Sequence, residues 1–360
     1  MPGIMPVSPN PSSAIAPGEV DMSNFADAVT EAMHLRINGG PLPLARQCRV
    51  PGRRACAGVL DLPVNRSMAG ENMTAAEHYA ARVGAVLAQR ARLRGAEPSG
   101  DLFGGLEPDH PLLKADPRRP LDANLNTLAD LIEPSDAIVD VGGGAGRMSL
   151  PLALRCHSVT NVDPSASMGA AFLANAKGAG ISNVDLIQSD WLAADVPQGT
   201  VALVNHVTYL ARDIVPFIEK LERAGPRRVI LTVNAPPPPS WNRVLFRLVH
   251  GEAEEVVPGH AELMNMLWEM GRLPDLTMLL PPNIRYIVPL PSREAAVDYA
   301  VQRVANEQWA HWPVAAAFEP RARATVEQHF DDLYDQGGDD FTPRWITMGR
   351  EVLITWQPGN

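Results

Sequence analysis

The residues able to do chemistry fall at the ends of short apolar runs. Asp140 closes the run Ala137-Ile138-Val139-Asp140-Val141, and Gly142, Gly144 and Gly146 follow it at once. Asp163 closes a second run, with Ser165 and Met168 just beyond it. Asp190 and Trp191 close a third, and Asn205, His206 and Tyr209 stand at the end of a fourth. A carboxylate offers two acceptor oxygens, enough for both hydroxyls of a ribose. A thioether packs well on an aromatic base, and an imidazole titrates near neutral pH and can serve as a general base. Glycines permit positive φ and let a ligand approach the backbone closely. A helix starting directly after them, from Met148 to Leu154, presents free N–H groups and the positive end of its dipole. This is the equipment of a nucleotide-type crevice at the carboxyl edge of a parallel sheet. His206 and Tyr209 are the candidates for catalysis beside it.

Spacing selects the ligand. A dinucleotide turn requires G-x-G-x-x-G, and its third glycine would fall where the chain has Arg147, which weakens a dehydrogenase reading. No Gly-Lys-Ser/Thr follows, so a phosphate loop is excluded. Asp140 followed by Gly142, Gly144 and Gly146 resembles the first motif of the class I S-adenosylmethionine (SAM)-dependent methyltransferases. Asp163, Ser165 and Met168 match that family's D-x-S-x-x-M pattern residue by residue. Asp163 also lies at roughly the 20-residue spacing that places an acid on a ribose. The resemblance implies SAM as cofactor, its methionine part against Asp140 and the glycines, its ribose on Asp163 and its adenine near Met168, Asp190 and Trp191. It also implies that the methyl group points toward Asn205, His206 and Tyr209. The Asn/Asp-Pro-Pro-Tyr sequence of enzymes that methylate planar NH₂ groups is missing there. Asn234-Ala235-Pro236-Pro237 looks similar but follows the next strand. Without the resemblance, Asp163 and Asp190 also read as helix caps, Met168 as a core residue, Trp191 as a surface indole and His206 as a structural histidine.

The elements that position these residues alternate strand and helix, which predicts a doubly wound, seven-stranded, mostly parallel α/β sheet. Strands are expected at 136–141, 157–163, 184–190, 201–206, 228–234, 283–289 and 351–357. The last is expected to pair with 344–347 through a tight turn at Met348-Gly349-Arg350. Thr74 and Glu77 form a capping box for a first helix, and Leu121, Leu125, Leu128 and Leu131 stripe a second over 120–133. Further helices are expected at 166–179, 213–224, most of 241–271, 292–306 and 320–334. The domain plan is a Pro- and Ser-rich disordered tail over 1–66, a helical cap over 67–133, and a SAM-binding domain over 134–360. A helical insertion is placed at about 290–340.

Composition bounds the partners. The chain has 360 residues, 46% of them hydrophobic, and a net charge of −10. Nucleic acid is therefore not favoured, since its binders usually carry a basic face. A small-molecule acceptor is the expectation, with RNA or protein methylation, or non-catalytic SAM binding, as alternatives. Cys48, Cys56 and Cys156 form no C-x-x-C pair or disulfide framework, as in a reducing compartment. No apolar run approaches the roughly 18 residues of a membrane span, and the histidines show no metal-ligand spacing. The expectation is a cytoplasmic enzyme without a metal or a membrane.

Overall fold

The computed structural model describes residues 73–94, 113–114, 116–237, 242–280, 290–305, 318–338, 340–346 and 349–359. The chain divides into Met1–Ser67 and Met68–Asn360, and everything below concerns the second unit. The tail over 1–66, the strand expected at 283–289 and the Met348 turn lie outside the described residues.

A seven-stranded sheet organises this unit. Its strands are β1 (Ala137–Val141), β2 (Ser158–Val162), β3 (Val184–Ile187), β4 (Val201–Asn205), β5 (Arg228–Ala235), β6 (Asp275–Met278) and β9 (Arg350–Trp356). The order across the sheet is β3-β2-β1-β4-β5-β9-β6. The first five run parallel, whereas β9 is antiparallel to both β5 and β6. The chain winds one way from β1 to β3 and the other way from β4 to β5. The reversal between β1 and β4 opens a crevice beyond their carboxyl ends, where ligands bind in folds of this kind.

Both faces of the sheet are covered, which is why its strands read as continuous apolar runs rather than alternating ones. On one face Val139, Val141, Ala202, Val204, Val229 and Leu231 pack with Tyr79, Val83, Phe217, Leu221, Leu263 and Leu267. Those partners come from the helices Ala75–Arg94, Ile214–Ala224 and His260–Glu269. On the other face Ile138, Val159, Val201, Leu203 and Ile230 meet Leu125, Leu128, Leu150 and Phe172. The capping box forms as expected: the Glu77 N–H donates to Thr74 Oγ1 at 3.1 Å, and the Thr74 N–H to Glu77 Oε2 at 2.8 Å. A separate core gathers Leu245, Val297, Ala300, Phe318, Val326, Phe330 and Trp345 around the helices Arg243–His250, Arg293–Ala305 and Phe318–Gln328.

Two expectations need correction, and one strand is unexpected. The stretch 241–271 is two helices, broken at Gly251, which caps the first in a left-handed conformation at φ 73°. The unexpected strand is Asp275–Met278, whose four residues are all exposed. The last strand makes no hairpin with 344–346. It lies between β5 and β6, while β7 (Tyr334–Gly337) and β8 (Asp340–Pro343) pair with each other. The cause is the composition of β9: Val352 to Trp356 is buried throughout, and such a strand needs neighbours on both edges.

The base of the sheet is tied by one ion pair. Arg227 Nε donates to Asp136 Oδ1 at 2.7 Å and its Nη2 to Oδ2, while Thr200 Oγ1 and the Glu133 N–H also donate to this carboxylate. Burial alone would raise the Asp136 pKa, but the Arg227 bond and the other donors hold it below the ordinary range. Asp136→Ala takes from Arg227 its buried partner, leaving the exposed Glu133 at 3.4 Å and the Leu131 carbonyl, and is expected to lower stability by about 3 kcal/mol or more in urea unfolding. Because the native pKa is depressed, this contribution is present above the unfolded carboxylate's pKa and lost as the pH falls through the native value. The gap between wild type and variant should therefore close in acid, and a gap independent of pH would refute the assignment.

Candidate active site

The glycine turn is built by steric exclusion. Gly142, Gly144 and Gly146 have φ of 66°, 54° and 80°, values that side-chain-bearing residues rarely adopt. A Cβ on Gly146 would lie 2.6 Å from both Leu150 and Phe172, so this glycine lets the turn seat on the helices behind it. A Cβ on Gly142 would lie 2.5 Å from the Val207 side chain, so the turn after β1 touches the turn after β4. At Gly144 the nearest atom to such a Cβ is Met168 Sδ at 3.7 Å, so the turn is open at its middle.

Beneath the turn lies a group of acceptors without donors. Asp140 on β1 and Asn161 on β2 are register partners. Asp140 is 1% exposed, and neither of its carboxylate oxygens makes a hydrogen bond of normal geometry; Asn161 Oδ1 is in the same condition. Both residues press against Gly143, where a Cβ would come within 2.1 Å of Asp140 Oδ2 and 2.7 Å of Asn161 Oδ1. Burial pushes the Asp140 carboxyl up to about 7, with the nearby Ser149 hydroxyl opposing and the Asp163 charge adding to the shift. Asn161 also anchors the turn, donating from Nδ2 to the Gly144 carbonyl at 2.9 Å.

Asp163 faces the same turn. Its Oδ2 accepts from the Gly144 N–H at 2.9 Å and its Oδ1 from the Ser165 N–H at 2.8 Å. Ser165 in turn caps the helix Ala166–Gly178, accepting from the Met168 N–H, and Met168 is buried beside Ala145. The sequence reading thus brings Asp140, the three glycines, Asp163 and Met168 together. Asp190 is exposed on the segment after β3 and accepts from the Leu192 N–H at 2.9 Å. Trp191 is no surface indole: its ring is buried edge-on against Phe217, with Lys220 Nζ 4.7 Å from the ring centroid. Lys220 also donates to the carbonyls of Trp191, Leu192 and Ala194, fixing the segment that carries Asp190.

A second cluster stands beyond β4. Asn205 accepts from Thr232 Oγ1 at 2.8 Å, while its buried amide nitrogen makes no hydrogen bond. His206 has φ 59°, the one positive value outside glycine among the described residues. Its Nε2 lies 2.8 Å from Glu351 Oε1, and its Nδ1 lies 3.2 Å from Tyr209 Oη and 3.3 Å from Asn234 Nδ2. Glu351 Oε2 accepts from Asn124 Nδ2 at 2.8 Å. Burial pushes the Glu351 carboxyl up, but the His206 bond and charge, the Asn124 amide and the Arg147 charge outweigh it and hold the pKa below the ordinary range. Tyr209 Oη accepts from the Asn234 N–H at 2.6 Å, and Tyr79 Oη donates to the Thr208 carbonyl at 2.7 Å. Burial raises the pKa of both phenols.

Sequence reasoning missed Glu351, Asn124 and Tyr79, and gave Asn161 no role. It set Asn234 aside as misplaced, yet the end of β5 lies beside His206. Two of these left a trace: Asn161 and Glu351 are polar residues inside or opening strands otherwise apolar enough to be core.

The residues 138–224, from β1 through the helix after β4, match the family described as "Methyltransferase domain". That segment holds the glycine turn, Asp163, Asp190, Asn205, His206 and Tyr209. Among solved structures it is similar to the YcgJ protein from Bacillus subtilis, at 15% identity over 64% of this chain and 96% of that one, with a TM-score of 0.42. It is also similar to a SAM-dependent methyltransferase from Thiobacillus denitrificans in complex with S-adenosyl-L-homocysteine, at 15% identity over 69% and 95%, TM-score 0.38. A third is the magnesium protoporphyrin IX methyltransferase from Synechocystis PCC 6803, at 18% identity over 43% and 74%, TM-score 0.36. No curated protein matches in sequence. The seven-stranded sheet is mostly parallel, as the sequence reading expects, with one antiparallel strand, β9. Among the described residues no helix is long and apolar enough to cross a membrane.

The glycines separate folding from binding. Gly146→Ala drives a methyl group into Leu150 and Phe172 at a positive φ, and a loss of about 2 kcal/mol or more is expected in thermal unfolding. Gly144→Ala carries the backbone strain alone, about 1–2 kcal/mol, because its Cβ meets only Met168 Sδ, at an ordinary contact distance of 3.7 Å. It should fold and yet bind SAM far more weakly, and a folded Gly144→Ala protein with wild-type SAM affinity would show that the turn does not face the ligand.

Proposed function

We propose that the chain transfers the methyl group of SAM to a small-molecule acceptor. The observation that carries this reading is the set of three buried acceptor oxygens, two on Asp140 and one on Asn161, lying without donors against the glycine turn. An undonated carboxylate in a dry setting is costly unless a donor or a positive charge arrives. The ammonium group of SAM is both. Bound SAM would supply an electrophilic methyl group on a sulfonium.

The residues divide the ligand as follows. Asp140, Asn161 and the turn at Gly142, Gly144 and Gly146 would hold the methionine part. Asp163, facing the turn from the end of β2, would take the ribose hydroxyls, since a carboxylate offers about four acceptor sites. Asp190, on a segment fixed by Lys220, would receive the adenine amino group, with Met168 and Trp191 supporting the base and Asn205 donating its unused amide near the transfer site. Catalysis then rests on alignment and the exclusion of water, with His206 and Tyr209 at the acceptor end. The net charge of −10 supports a small acceptor over a nucleic acid. Cysteines without a disulfide framework support a cytoplasmic setting.

Two measurements test this. Asp163→Ala should weaken SAM binding by about tenfold or more, the worth of a charge-assisted hydrogen bond; unchanged affinity in calorimetry would contradict the ribose assignment. Asp140 supplies a pH signature. Its carboxyl titrates at about 7 in the ligand-free protein, and a cationic ligand selects the ionised form. SAM affinity should therefore rise with pH up to about 7 and level off above it, with Asp140→Asn flattening the profile. The sign for stability is opposite. A raised native pKa favours the folded state at low pH, and that advantage is lost as pH climbs from the unfolded value toward 7. Ligand-free wild type should lose stability relative to Asp140→Asn over that range, and parallel curves would sink the assignment.

A further inference from the structure

We infer that Glu351 is a positioning residue that makes His206 Nδ1 the proton acceptor in methyl transfer, and that the acceptor is a hydroxyl compound methylated on oxygen. The inference rests on the methyltransferase reading and adds the substrate class to it. The starting point is location. His206 follows β4 directly, and its neighbour Val207 packs against Gly142 of the cofactor turn, so the imidazole stands beside the place where the methyl group is offered.

The tautomer follows from the partners. A neutral imidazole has one donor and one acceptor nitrogen, and an ionised carboxylate only accepts. Glu351 Oε1 lies 2.8 Å from Nε2, so Nε2 carries the proton and Nδ1 is bare. Glu351 cannot swing away. Its other oxygen accepts from Asn124 Nδ2, and Asn124 is itself held from both sides by Leu280, donating to its carbonyl at 3.0 Å and accepting from its N–H at 3.1 Å. The charged and titratable groups around the pair are few. Tyr209 faces the ring of His206, Arg147 adds its charge near Glu351, and Asn234 is neutral. The lowered pKa of Glu351 agrees with a carboxylate kept ionised for this purpose.

Nδ1 is engaged only at 3.2 and 3.3 Å, beyond the usual length of strong hydrogen bonds to nitrogen. The His206 side chain is 23% exposed, so an acceptor hydroxyl can replace these weak contacts. The choice of oxygen follows from what needs a base. A thiol, with a pKa of about 8.5, is partly ionised near neutrality, whereas a phenol at about 10 is not. An aliphatic amine, with a pKa of about 10.4, arrives as an ammonium ion whose charge the SAM sulfonium would repel, and an aromatic amine attacks through its own lone pair. Only a hydroxyl gains decisively from a base held ready. As the new C–O bond forms from the oxygen's lone pair, the C–S electrons stay on sulfur, which becomes neutral. The O–H proton goes to Nδ1, giving an imidazolium whose charge Glu351 balances.

The test is methyl transfer from isotope-labelled SAM to a panel of catechols, simple phenols and hydroxy acids, with matched amines and thiols, by the full-length protein. Transfer to one or more hydroxyl compounds is expected. His206→Asn should lower kcat by about 100-fold or more with SAM affinity unchanged within about threefold. Glu351→Gln keeps the geometry but not the charge, so it should lower kcat by about tenfold or more. Transfer to amines or thiols alone, transfer to no compound of the panel, or variants with wild-type kcat would overturn the inference. Failure of the wild type to bind SAM in calorimetry would instead overturn the methyltransferase reading beneath it. Nitrogen-15 NMR of the ligand-free protein gives a readout free of any acceptor. It should find Nδ1 of His206 unprotonated in wild type and a mixed tautomer in Glu351→Gln, and a proton on Nδ1 in wild type would refute the assignment.

Discussion

The structure depends on the close approach of two chain turns at the carboxyl edge of the sheet. Gly142 and Val207 meet there so tightly that no side chain fits on the glycine. The approach exists because β1 and β4 are neighbours in a sheet whose winding reverses between them. It has two consequences. The backbone of the first turn must take left-handed conformations, which only glycine does at little cost. The residues after the second turn, His206 first among them, are brought beside whatever the first turn holds. On the proposed reading, cofactor grip and acceptor chemistry are thus separate in sequence and joined where Gly142 meets Val207.

Around that contact the polar groups fall into two kinds. Asp136, Glu351 and Asp163 are buried carboxylates whose oxygens are supplied with donors, and two of them have lowered pKa values as a result. Asp140 is the exception, with a raised pKa and no normal hydrogen bond. A fold that satisfies its other acids at this depth and leaves this one bare has a use for the deficit, since each unmet acceptor costs about 1–3 kcal/mol. The deficit sits where the turn would meet a cation. This is the usual relation between strain and function: the site is less stable than the scaffold, and the ligand supplies what is missing.

Most of the cofactor half was legible in the sequence because its signals are local. The glycine turn and the D-x-S-x-x-M pattern each lie within a few residues, and the spacing between them is set by one helix and one strand. The burial of Trp191 was less legible, because an indole at a strand end looks alike whether it faces solvent or Phe217. The acceptor half was mostly hidden. Glu351 reaches His206 from 145 residues away, through a strand that enters the sheet antiparallel and late. Nothing short-range announces such a pairing. The edge strand Asp275–Met278 was equally silent, since Leu276 and Met278 alternate with polar neighbours over only four residues, the shortest run that reads as a strand.

His206 shows how these parts constrain one another. A non-glycine residue at φ 59° costs about 1–2 kcal/mol, and it persists only where the surroundings over-determine it. Here they do. The His206 N–H is bonded to the Thr232 carbonyl, the ring is held by Glu351, Tyr209 and Asn234, and the next residue is pressed on Gly142. These restraints come from β5, from β9 and from the turn after β1. Helix Ala123–Ala129 adds another through Asn124 and Glu351, and helix Ala75–Arg94 ties the same turn through Tyr79 and the Thr208 carbonyl. If only the core were being served, a glycine at 206 would relieve the backbone and remove a polar ring from a half-buried site. An imidazole held there against strain by so many elements is economical only if the ring itself is used.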